Sequence, residues 1–129
     1  MKTEILTLCD SAQEYLGKCV IMGTFNEFKT ASFPTMIQNV SLVIRIAFDQ
    51  DEDIEAEMSI RAYNIKEPEY LIVNFNTPFT NMANRNGKRS FANAILKLDG
   101  LQIPKPGTYV FEIKIGDWSD NIELYADTI

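Results

Sequence analysis

The chain has 129 residues, of which 46% are hydrophobic and 23% charged; this is the size and composition of one folded domain and excludes a disordered chain. Twelve Lys and Arg against eighteen Asp and Glu leave a formal net charge of −6, whereas binding to a nucleic-acid backbone needs clustered basic charge. The sequence contains no His, which removes the commonest general base and the commonest transition-metal ligand.

Taken in chain order, residues 4–9 are apolar and β-prone; no signal peptide is expected over residues 1–10, because the apolar stretch is too short and is broken by Glu4 and Asp10. Ser11-Ala12-Gln13-Glu14 has the form of a helix capping box, with Gly17 placed to close a turn. One or two helical turns inside a hairpin loop are therefore expected there. A second strand is expected over residues 18–25. Residues 40–48 alternate, with Val40, Leu42, Ile44, Ile46 and Phe48 on one face and Ser41, Arg45 and Ala47 on the other. Residues 54–63 alternate too, placing Ile54, Ala56, Met58, Ile60 and Ala62 inward. This period of two is the mark of a strand with one wet face.

Residues 70–75 read as a strand with Leu71, Val73 and Phe75 in the core, and residues 76–90 as an Asn-rich loop. Ala92, Ala94, Leu96 and Leu98 form the next apolar face, and Tyr109, Phe111, Ile113 and Ile115 the clearest one. Pro106-Gly107 suits a type II turn before it. Gly116-Asp117 suits a type II′ turn after it, in a register that opposes Phe111 to Ile122 and Tyr109 to Leu124 and puts Asp120 on the apolar side. The prolines fall at strand ends and loops. With no repeat and no linker, residues 1–129 are read as a single domain. With a final strand over residues 121–126, burying Ile122, Leu124 and Ala126, about eight short strands with turn signals between them predict an all-β fold, an antiparallel two-sheet β-sandwich.

Two charged loops are candidate sites. The run Asp49-Gln50-Asp51-Glu52-Asp53 offers Asp49, Asp51 and Asp53 as oxygen ligands for calcium, although it lacks the Gly and the flanking helices of a helix–loop–helix calcium site; the simpler reading is a solvated hairpin tip. The cluster Arg85-Asn86-Gly87-Lys88-Arg89 offers Arg85, Lys88 and Arg89 to an anion or an acidic partner, against a plain polar turn at Asn-Gly. Trp118, with Tyr63, Tyr70 and Tyr125, offers aromatic anchors that would otherwise cover core rims. Cys9 and Cys19 fit no zinc pattern, and both are read as small buried hydrophobes in a reducing cytoplasm.

Residues 5–10 (Ile-Leu-Thr-Leu-Cys-Asp), then Ala12-Gln13, Gly17-Lys18 and Ile21-Met22-Gly23-Thr24-Phe25, resemble the opening of a family of uncharacterised prokaryotic proteins of similar length. Leu101 to Pro104 and Pro106-Gly107-Thr108-Tyr109-Val110-Phe111-Glu112 resemble its closing hairpin. The resemblance implies a compact cytoplasmic β-sandwich and brings no activity, cofactor or site residue.

With no His, no metal set and no nucleophile motif, the expected function is that of a non-enzymatic interaction or structural module. It would meet a protein partner or its own copy, with no cofactor, nucleic acid or membrane involved. The alternatives are a small-ligand site for sugar, anion or calcium at one end of the fold, and a hydrolase built on two carboxylates.

Overall fold

A computed structural model describes residues 1–82 and 88–129. Among the described residues there is no helix, and eleven strands form. They are β1 (Lys2–Tyr15), β2 (Lys18–Phe25), β3 (Glu27–Thr30), β4 (Thr35–Ile37), β5 (Ser41–Phe48), β6 (Ile54–Asn64), β7 (Leu71–Asn81), β8 (Ser90–Lys97), β9 (Leu101–Ile103), β10 (Gly107–Ile115) and β11 (Trp118–Thr128). Three sheets result, in the orders β2-β1-β5-β8, β3-β11-β10-β6-β7 and β4-β9. All pairings are antiparallel except that of β3 with β11.

The eight expected strands correspond one to one with β1, β2, β5, β6, β7, β8, β10 and β11. The expected count of eight strands in two sheets is corrected by β3, β4 and β9, which have three or four residues each. Segments that short show no readable alternation, and pairing partners found elsewhere in the chain make them strands. One core draws on every sheet. Leu8, Leu42, Ile44, Ile46 and Phe48 share it with Met58, Ile60, Ala62, Phe111, Ile113, Ile115 and Leu124, and with Ile37, Leu101 and Ile103 of β4 and β9.

The β10–β11 hairpin has the expected register, with Phe111 opposite Ile122 and Tyr109 opposite Leu124. Gly116 has a φ of 57° and Asp117 has no positive φ, as a type II′ turn requires. Asp120 pairs with Ile113 without a bulge and stays half-buried at the rim. Pro106-Gly107 departs from the expected type II turn. Gly107 opens β10 with a φ of 142°, and a Cβ there would stand 2.9 Å from the amide nitrogen of Asn64. That glycine serves the close approach of the Asn64 side chain.

Four other expectations are corrected. The capping-box segment is strand, because residues 11–15 pair with residues 18–22 of β2 and tertiary pairing overrides a short helical preference. Residues 76–81 belong to β7, where they pair with residues 54–59; Pro78 is tolerated because β7 is an edge strand. Phe75 sits on that edge and is 42% exposed, so it is not a core residue. The acidic run is no hairpin tip, since it carries the chain from β5 in one sheet to β6 in another.

Candidate functional site

Beyond the Cys9–Ser41 pair, β5 has ended, and β1 continues joined to β2 alone. The two strands form a ribbon closed by the pair Tyr15–Lys18, with Leu16-Gly17 as its two-residue turn. Leu16 has a φ of 50° and Gly17 one of 76°, which is the type I′ geometry that matches the twist of a hairpin.

A straight ribbon would project into solvent, and this one folds back. The Gly17 carbonyl accepts hydrogen bonds from Arg45 Nη1 at 3.3 Å and from Asn93 Nδ2 at 3.1 Å. Arg45 lies opposite Ile5, twelve residues before Gly17, which is roughly 40 Å along an extended strand. Only a sharp reversal brings the turn to it. The reversal falls at Asp10 and Gly23, which face each other between the pairs Cys9–Thr24 and Ser11–Met22. Gly23 has a φ of 70°, and a Cβ there would lie 2.5 Å from a carboxylate oxygen of Asp10. Glycine alone fits that bend.

The fold-back gives β5 a second buried face. Of Ser41, Arg45 and Ala47, expected on the wet side, Ser41 and Ala47 are buried and Arg45 is half-buried, and Val43 between them is buried too. Cys9 is buried there too, its thiol donating to the carbonyls of Ser11 at 3.4 Å and Ser41 at 3.7 Å. Burial pushes the Cys9 thiol pKa up, the Ser11 contact opposes this, and the charge of Asp10 adds to the rise. Cys19 is half-buried and pairs with Glu14, five positions along the ladder from Cys9, and both thiols are free.

On the ribbon, Ala12, Cys19 and Ile21 are half-buried on one side. The opposite side carries Ser11, Gln13, Tyr15, Lys18, Val20 and Met22, paired across the two strands. Tyr15, Val20 and Met22 are 61%, 41% and 65% exposed, and Leu16 at the turn is 80% exposed. Sequence reasoning did not single out this patch. The legible signal was a leucine in a two-residue turn, where Asn or Gly is expected.

The two charged candidate loops meet. Asp49, Gln50, Asp51, Glu52 and Arg89 line one shallow depression, and Arg89 stands 3.9 Å from an Asp49 oxygen. Glu52 binds the α-amino group of Met1 at 3.0 Å and accepts from the Asp49 N–H at 3.0 Å. Burial works to raise the Glu52 carboxyl, but those two hydrogen bonds and the α-amino charge outweigh it and hold the group below its ordinary value. Asp49, Asp51 and Asp53 are exposed, as is Lys88, and Arg85 lies outside the described residues. Trp118 is half-buried against the core beside its partner Ile115. Among the described residues, no three His, Cys, Asp or Glu side chains gather to hold a metal ion. A separate open cleft of about 590 Å³ at the base of the ribbon is lined by Asp10, Ser11, Asn39, Ser41, Lys97 and Asp99. Asp99 is committed in part to the Val40 N–H, at 3.1 Å.

Among the described residues, no helix is long and apolar enough to cross a membrane. No curated protein matches the sequence. The model of a family of unknown function, DUF6941, matches residues 4–126. The match takes in the ribbon, all three sheets and the closing hairpin, and the chain belongs to that family.

Proposed function

We propose that the protein is a non-enzymatic interaction module that presents the outer side of the β1–β2 ribbon to a protein partner. The observation that carries this reading is Leu16. A left-handed backbone costs a residue with a branched side chain roughly 1 kcal/mol that Asn or Gly would avoid, and this leucine holds that conformation while 80% exposed. Folding alone offers no return for it, whereas contact with a partner does. Tyr15, Val20 and Met22 extend the patch on the same ribbon, with Lys18 the one charge among them. We read the two larger sheets as facing layers of a sandwich that serves as scaffold. Two free thiols, one of them buried, accord with a reducing cytoplasm.

The test is a photo-crosslinking residue placed at position 16 or 22, compared in cells of the source organism with one at Lys114, which is exposed on β10. A discrete adduct, to another protein or to a second copy, is expected from the ribbon positions and not from position 114. Equal yields at all three would remove the reading.

Calcium at Asp49, Asp51 and Asp53 is the small-ligand alternative, and it would compete with Arg89 and the α-amino group for the same loop. Because ligand binding to the native state raises its stability, a melting temperature unchanged by millimolar calcium is the expected result.

A further inference from the structure

The half of the ribbon beyond the bend is attached unlike the rest of the molecule. No residue from 10 to 24 belongs to the hydrophobic core or packs directly against it, whereas Leu8 and Phe25, on either side of the bend, do. The tip is held to the sheet by the two hydrogen bonds to the Gly17 carbonyl. Their donors are tied to the sheet in turn: Arg45 Nη1 donates to Asn93 Oδ1 at 2.8 Å, its Nε to Glu4 at 3.2 Å, and the guanidinium lies over the Phe91 ring. The receiving side is thus braced, and the hydrogen bonds of the tip run through one carbonyl, with the half-buried Ala12, Cys19 and Ile21 behind it. Bonds of this kind, open to water on one side, contribute far less than core burial.

We propose that residues 11–22 form a hinged strap. The strap opens as a unit about Asp10 and Gly23, and closed it is latched at Gly17 to Arg45 and Asn93, hiding the outer side of β5 and the Cys9 thiol. Opening leaves the core whole, because the strap contributes nothing to it, and it leaves β1 paired with β5 up to Cys9. The positive φ of Gly23 supplies the hinge. The Ser11 carbonyl, which caps the Cys9 sulfur from the strap side, leaves with the strap, so the thiol reports the opening. This inference does not depend on what the ribbon's outer side binds.

The experiment follows alkylation of Cys9 by N-ethylmaleimide in the folded protein at one pH, read by peptide mass spectrometry on a Cys19→Ser background, since Cys19 lies on the strap itself. Global unfolding is measured in urea on the same samples. Asn93→Ala removes a latch bond, and Gly23→Ala puts a methyl group against Asp10 at the bend. Each is expected to speed Cys9 labelling about tenfold, beyond what its own global unfolding constant accounts for. If Cys9 labels only at the rate set by global unfolding, in the wild type and in both variants, there is no independent strap. A Cys9 rate that neither variant changes would also overturn it, whatever the crosslinking at positions 16 and 22 shows.

Discussion

Tyr109 shows how one side chain can hold a corner of this fold. It is fully buried, yet its hydroxyl donates to the Lys105 carbonyl at 2.7 Å and accepts from the Lys105 N–H at 3.4 Å. The ring fills the core while the hydroxyl pins the chain that enters β10, as the tyrosine corners of β-sandwich proteins do. Pro106 and Gly107 lie inside that short loop, and Gly107 makes room for Asn64, so the Pro-Gly-x-Tyr stretch is a structural device. Tyr109→Phe removes the part-buried hydrogen bond to the Lys105 carbonyl, and a loss of about 1 kcal/mol is expected, read as a lower urea midpoint with unchanged slope. Glu52 governs a different variable. Its carboxyl titrates below 4.5 when folded, so the unfolded chain binds its proton first as pH falls. The stability it contributes is therefore present above 4.5, fades below that value and is gone once the folded carboxyl is protonated. Glu52→Gln is expected to be the less stable protein at pH 7, with the difference closing in acid; urea titrations at pH 7 and pH 3 would show it.

At the scale of elements, the ribbon is the part that local rules describe least well. Its first half is an ordinary member of a four-stranded sheet, and its second half lies over that sheet as a cover. The strongest helix signal in the chain, the capping box at Ser11, lies inside it and is overruled by pairing with β2 along its whole length. Leu16 tests whether the ribbon is tuned for folding or for contact. Leu16→Asn relieves a left-handed leucine and is expected to raise stability by about 0.5–1 kcal/mol. If contact is the reason for the leucine, the same variant loses the partner that crosslinking reveals. A variant that is destabilised by urea assay would show instead that Leu16 is held by packing. The edge strands support the same division. β7 carries Pro78 on its free edge, β3 is only four residues long and carries Glu27 and Lys29, and both devices discourage further pairing. β2 is long, and from Lys18 to Met22 it carries a single charge and no proline.

For the whole molecule, one core shared by three sheets leaves no seam at which part of the chain could unfold alone, the strap excepted. Trp118 fluorescence and far-ultraviolet circular dichroism are expected to give coincident unfolding curves, whereas separate transitions would mean two domains. The eight long strands and, except for Phe75 on an edge strand, their inward residues were legible because each central strand has one face in the core, and period-two alternation records that directly. The register of β10 and β11 was legible because a two-residue turn leaves no freedom in pairing. The charged loops were visible as clusters, but their meeting was not: Asp49 and Arg89 are forty residues apart and become neighbours only because β5 pairs with β8.

Composition and alternation thus determined by themselves that this is an all-β chain with a substantial core, since burial of one face acts on every second residue wherever the strand lies. The tertiary structure alone decided that β5 is covered on both faces, that a helix-like segment is strand, and that four apolar side chains share an exposed ribbon. The covered face and the exposed ribbon depend on a bend at a single glycine and on two hydrogen bonds between segments far apart in the chain, of which local sequence carries no record; the helix-like segment is strand because its pairing with β2 outweighs its local preference.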